Sequence, residues 1–191
     1  EIGQSRSYQL GGWSYGGIVA FDMARRLRAS GRDVEPLIIF DTLAPGAMPE
    51  SEWRKDAATL LADIFGADAG LAAKDLNGLS LDGQLHRVTE QAIATGVFPS
   101  TYTIADTYRA WAVFQAHRQA EQAYVATPVD VEALVFSSGL RQDDVDPTLG
   151  WGRWVRHVRV VDVPGNHQDV LRPPVVNTVA ETIGAVGPTR I

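Results

Sequence analysis

The 191-residue chain contains no cysteine. That excludes disulfides, thiolate metal sites and a cysteine nucleophile, and it suits a cytoplasmic enzyme. No apolar run approaches the roughly 20 residues that a membrane-spanning helix needs, so a soluble domain is expected. The opening segment, EIGQSRSYQL, has neither the basic nor the apolar region of a secretory signal. Lysine is nearly missing. Only Lys55 and Lys74 stand among the 17 basic residues, a bias that points to a GC-rich coding sequence rather than to a function. No basic block offsets the net charge of −6, which argues against a nucleic-acid partner. What is present is ordinary for a globular protein: 45% hydrophobic and 21% charged residues, in a chain long enough for one domain with a real core.

The order of patterns sets the fold class. Tyr8-Gln9-Leu10 is a short apolar segment running into Gly11 and Gly12, which reads as the end of a strand. From Gly16 the period changes, and Val19, Ala20, Met23, Ala24 and Leu27 fall at helical spacing. Gly31 is placed to close that helix as a left-handed cap. Residues 34–40 form an apolar run too short for a buried helix, which predicts an interior strand of a parallel sheet. Strand, glycine turn, helix and strand make a βαβ unit, and the fold class is α/β. From about residue 50 to 95 the sequence is Ala- and Leu-rich with helical spacing, and a further amphipathic helix is predicted over 104–124. Strand patterns resume at 131–136 and 158–163, and a last helix follows Pro173-Pro174. The expected organisation is a single domain over 1–191 with a helical lid inserted over roughly 46–100. An open sheet of this type carries several strands before the turn at Ser14. The chain therefore reads as N-terminally incomplete, with about four sheet strands.

Gly12-Trp13-Ser14-Tyr15-Gly16 has the form of a nucleophile elbow. In such a turn the serine sits in a strained conformation between strand and helix, and small residues two positions away let backbones approach. The Tyr15 amide then lies at a helix N-terminus, where an oxyanion could be stabilised. A serine hydroxyl needs a base, and four histidines are available. His86 and His117 lie in helical sequence and His157 begins a strand. His167 follows the last strand through Val163-Pro164-Gly165-Asn166, on the loop that returns to the carboxyl edge of the sheet. His167 is the candidate base. Two positions could supply the acid that orients it: Asp41 directly after strand 34–40, or Asp143, Asp144 and Asp146 after strand 131–136. Asp41 is favoured because it abuts an apolar strand, while the later cluster reads as a solvated turn. For Trp111 and Phe114, core packing is the expected role.

The segments LGGWSYGGIVAFDMARRLRASG, LIIFDTLAPG and VPGNHQDVL, in that order, resemble the type I thioesterase domains of nonribosomal peptide and polyketide synthetases, members of the α/β-hydrolase superfamily. This resemblance implies a catalytic Ser14, Asp41 and His167, because the FDT and GNH segments match the family's acid and histidine positions. It implies one oxyanion donor at the Tyr15 backbone amide and a second on a loop upstream of Glu1. It further implies no cofactor of the domain's own. The acyl or peptidyl chain arrives as a phosphopantetheine thioester on a carrier protein, forms an ester with Ser14, and leaves by hydrolysis or ring closure. Trp13 and apolar positions of the lid would line the substrate pocket. The competing expectations are a stand-alone esterase or lipase, a proofreading type II thioesterase, and a non-catalytic binding domain on the same fold.

Overall fold

The computed structural model describes residues 7–138 and 146–186. The chain divides into two compact units, Glu1–Met48 with Glu121–Ile191, and Pro49–Ala120.

The first unit is built on β1 (Ser7–Tyr8), β2 (Gly11–Trp13), α1 (Tyr15–Ala29), β3 (Asp33–Val34) and β4 (Leu37–Phe40), with later strands returning from the far side of the sequence. The apolar run 34–40 does not form one strand as expected. Pro36 has no N–H to donate, and the run divides there. Val34 pairs with Tyr8 in a two-stranded parallel ladder, and Leu37–Phe40 enters the main sheet. Likewise the strand leading to Ser14 is not Tyr8–Leu10 but the glycines themselves, with Gly11, Gly12 and Trp13 in parallel register with Ile38, Ile39 and Phe40. Helix α1 ends as anticipated at Gly31. With φ +76 there, the Gly31 and Arg32 amides donate to the carbonyls of Arg28 and Leu27, each at 3.0 Å, in a Schellman arrangement.

The second unit holds α2 (Glu50–Trp53), α3 (Ala57–Leu61), a π-helical turn (Ala62–Gly66), α4 (Ala67–Ala69), α5 (Leu81–Ala94) and most of α6 (Ile104–Ala123). Asp56 and Ser80 cap α3 and α5, accepting hydrogen bonds from the amides of Thr59 and Gly83. Its core gathers Ala58, Leu60, Leu61, Leu71, Leu76, Leu85, Val88 and Trp111, with Phe114 packed against it. Both aromatics of α6 thus serve this core, and that is why the unit runs beyond residue 100.

The first unit is completed by β5 (Val129–Ser138), β6 (Val155–Val163) and α7 (Val175–Val186). The four main strands run parallel in the order β2-β4-β5-β6. Side chains alternate across this sheet. Leu37, Ile39, Val131, Ala133 and Val135 face Ala20, Phe21 and Ala24 of α1, while Ile38, Leu134 and Phe136 face Val175 and Val179 of α7. The result is a helix–sheet–helix sandwich, the α/β class expected. The outer strand β6 carries Arg156, His157 and Arg159 and is the most exposed of the long strands. A charged, solvated outer strand resists unwanted pairing. No helix among the described residues is long and apolar enough to cross a membrane.

Candidate active site

Because all four strands are parallel, the residues that follow them collect at one edge. Ser14 follows β2, Asp41 follows β4, Ser138 ends β5, and the 164–169 loop follows β6.

Ser14 has φ 54 and ψ −134, a conformation that costs a non-glycine residue about 1–3 kcal/mol and persists only when its surroundings hold it. Three hydrogen bonds do so. The Ser14 amide donates to the Phe40 carbonyl (3.2 Å), and the Ser14 carbonyl accepts from the Gly17 amide (2.8 Å) and the Thr42 hydroxyl (2.7 Å). Gly12 is obligatory as expected, since a Cβ there would lie 1.9 Å from the Gly16 carbonyl oxygen. Gly16 differs from expectation: a Cβ would meet nothing within 4 Å. The second close approach belongs to Gly17, whose Cβ would sit 2.6 Å from the Thr42 hydroxyl oxygen. Tyr15 opens α1, so its amide stands at the positive end of the helix.

Asp41 also has a left-handed backbone, φ 48, which aspartate tolerates better than most residues. Its amide donates to the Phe136 carbonyl at 2.8 Å. The carboxylate accepts from the Ser138 amide (2.7 Å) and hydroxyl (3.0 Å), and lies 2.8 Å from His167 Nδ1. Burial by itself pushes the Asp41 carboxyl up; the bonds from His167 and Ser138 outweigh it and hold the group below its ordinary range. An ionised carboxylate can only accept, so His167 Nδ1 is the donor of this bond, which in a neutral imidazole leaves Nε2 as the acceptor.

The histidine loop is braced by its own side chains. Asp169 accepts from the Asn166 amide (2.9 Å), the Asn166 side-chain oxygen accepts from the Gln168 amide (2.8 Å), and Val170 anchors the segment in the core. Gly165 has φ +92, and a Cβ there would lie 2.7 Å from the Asp169 carboxylate. Trp13 closes over the loop, its indole N–H donating to the His167 carbonyl at 3.1 Å and its ring stacked on the imidazole. The structure therefore joins Asp41 to His167 and seats Trp13 against the histidine. Ser14 Oγ forms no hydrogen bond to that pair; such contacts are often long before substrate binds.

The other candidates lie elsewhere. Asp146 caps a turn, accepting from the Thr148 amide at 2.7 Å and from the Thr148 hydroxyl, while Asp143 and Asp144 lie outside the described residues. His86 is exposed on α5 beside Asp82, His117 is on α6, and His157 is exposed within β6. Among the described residues no group of His, Asp and Glu side chains could hold a metal ion. Sequence reasoning missed Ser138, Thr42, Gly17, Asn166 and Asp169. The adjacent Gly16-Gly17 pair and the Asn-x-x-Asp spacing were visible signals; nothing local pointed to Ser138.

A family model described as "Thioesterase domain" matches residues 1–186. The chain belongs to that family. This thioesterase-family chain is 28% identical over 200 residues to the non-reducing polyketide synthase stmB of Aspergillus ustus, covering 92% of its own length and 9% of the synthase. It spans about a tenth of the curated relatives it first matches. Among solved structures, it superposes on a four-domain nonribosomal peptide synthetase, holo-AB3403, with TM-score 0.81 and 29% identity, covering 96% of the thioesterase-family chain and 14% of the synthetase. The Vlm2 thioesterase domain, at 23% identity and TM-score 0.63, covers 96% of this chain and 70% of its own. At that identity it attests the shared α/β fold alone.

Proposed function

We propose that this thioesterase domain releases an acyl or peptidyl chain from the phosphopantetheine thioester of a carrier protein, through an ester on Ser14. The observation that carries the proposal is the 2.8 Å bond between Asp41 and His167 at the sheet edge where the strained Ser14 turn lies. Ser14 Oγ attacks the thioester carbonyl while His167 Nε2 takes its proton. Negative charge develops on the carbonyl oxygen, within the field of the α1 N-terminus, where the Tyr15 amide is the assigned donor. Collapse breaks the C–S bond, and His167 returns the proton to the departing thiol. His167 then deprotonates a second nucleophile, which displaces Ser14 Oγ, and His167 returns that proton to the departing serine oxygen. Water yields a free acid; a hydroxyl or amine of the same chain yields a ring. Asp41 stays ionised throughout and stabilises the imidazolium that forms at each step.

Two lines support the proposal: membership of the thioesterase domain family, and similarity to proteins named as a polyketide synthase and a nonribosomal peptide synthetase. The test is intact-mass analysis after a fluorophosphonate probe, with Ser14→Ala and His167→Ala alongside. One adduct on Ser14, absent from both variants, is expected. An adduct of undiminished rate in Ser14→Ala would refute the assignment. Loading a carrier protein with an acyl-phosphopantetheine then separates release of free acid from release of a ring.

A further inference from the structure

We infer that Trp13 is a positioning residue that holds the His167 imidazole in its working orientation, an inference that rests on the role proposed for His167. His167 stands on a loop and its side chain is 38% exposed, so the Asp41 bond alone leaves the ring free to tilt about the Nδ1 contact. Trp13 removes that freedom in two ways. Its indole N–H is a donor without acceptor capacity, and it donates to the main-chain carbonyl of His167 itself at 3.1 Å. Its ring lies against the imidazole at 4.9 Å between centroids and 22° between planes, an offset stack. The main chain, the ring plane and the Nδ1 edge of one residue are thus held by separate contacts.

The covalent position of Trp13 gives the clamp its meaning. It directly precedes Ser14, on a strand in register with β4, which in turn leads into Asp41. The residue that sets the ring plane therefore belongs to the same rigid turn that presents the serine hydroxyl. Errors in the distance between Ser14 and His167, which are 153 positions apart in the chain, are limited by a contact one residue from the nucleophile. A misplacement of about 1 Å between reacting groups can lower a rate about 100-fold.

Two variants divide the clamp. Trp13→Phe keeps a ring face and loses the N–H; Trp13→Ala loses both. With p-nitrophenyl acetate, whose two-carbon acyl group tests chemistry more than substrate fit, kcat is expected to fall about 2- to 10-fold in the first. In the second it is expected to fall about 10- to 100-fold, with KM little changed. The downfield Nδ1–H proton signal of His167, which requires no substrate, should broaden in the same order. Wild-type kcat with a raised KM, or an unaltered Nδ1–H signal in Trp13→Ala, would overturn the inference and leave Trp13 as a substrate contact. Should Trp13→Ala fail to fold by thermal melting, Trp13→Phe decides by the same two readouts. A His167→Ala control separates the two proposals: unchanged turnover there would remove His167 as the base, while the proton signal in wild type and the Trp13 variants, which keep His167, would still report whether Trp13 orders the ring.

Discussion

Alanine at two adjacent glycines should have opposite consequences. Gly17 is buried, and a Cβ added there would stand 2.6, 2.9 and 3.1 Å from the Oγ1, Cβ and Cγ2 atoms of Thr42. Thr42 has little room to yield. It is 6% exposed, its hydroxyl donates to the Ser14 and Phe40 carbonyls at 2.7 and 3.1 Å, and its carbonyl accepts the Trp151 indole N–H at 2.8 Å. Overpacking of this kind costs about 1–3 kcal/mol. Disturbing the Thr42 hydroxyl adds about 1 kcal/mol for each hydrogen bond weakened. Against this, replacing glycine in a helix gains about 1 kcal/mol. The net expectation for Gly17→Ala is a loss of about 2–4 kcal/mol, or roughly 5–15 °C in Tm for a domain of this size. Gly16 lies in the same helical turn with open space at its Cβ position, so Gly16→Ala should leave Tm unchanged or raise it slightly. Thermal melts of both variants beside wild type are the assay. Equal melting of Gly17→Ala and wild type, or a larger fall for Gly16→Ala, would refute the argument from Thr42.

Asp41→Asn should slow acylation of Ser14 about 1,000- to 10,000-fold by favouring the wrong histidine tautomer, whereas Asp146→Asn should change it only a few-fold; stopped-flow release from an activated ester compares them. Ser138→Ala removes one of the two Ser138 donors to Asp41 and should lower the same rate by about 3- to 10-fold; a fall as deep as that of Asp41→Asn would mean that the hydroxyl does more than orient the acid. The Asp41 carboxyl is held below its ordinary value by His167 and Ser138 against the opposing effect of burial. Its contribution to stability is therefore complete above the ordinary aspartate value of about 3.9 and is lost as pH falls through the lower folded value. The gap in Tm between wild type and Asp41→Asn should accordingly narrow on going from pH 7 to pH 3, and widening on acidification would contradict it.

Local pattern carried the sequence reading a long way. The change from strand to helical period around Ser14, the cap at Gly31, the apolar core of β4 and the helices over 104–123 and after Pro174 all depend on neighbours a few residues apart, and they appear in the structure. Two strands were misread locally: the run 34–40 divides at Pro36, where hydrophobicity continues but the backbone donor does not, and the strand before Ser14 is Gly11–Trp13 rather than Tyr8–Leu10. Among the histidines, only His167 follows a strand at the carboxyl edge, so chain order alone singled it out. The carboxylate partner of His167 was less legible. Asp41 and the 143–146 cluster each follow a strand, and both would satisfy the order serine, acid, histidine.

What the sequence by itself determined, then, was the kind of fold, the strained serine turn and a short list of partners. Tertiary structure decided how those partners meet. Ser138 reaches Asp41 across 97 positions, Thr42 grips the Ser14 carbonyl across 28, and Trp13 meets His167 across 154. Periodicity and turn chemistry act over a few residues and are written in the order of side chains. The β2-β4-β5-β6 pairing register, by contrast, is set by which faces bury the most apolar surface together, and only that register brings the ends of four strands to one edge.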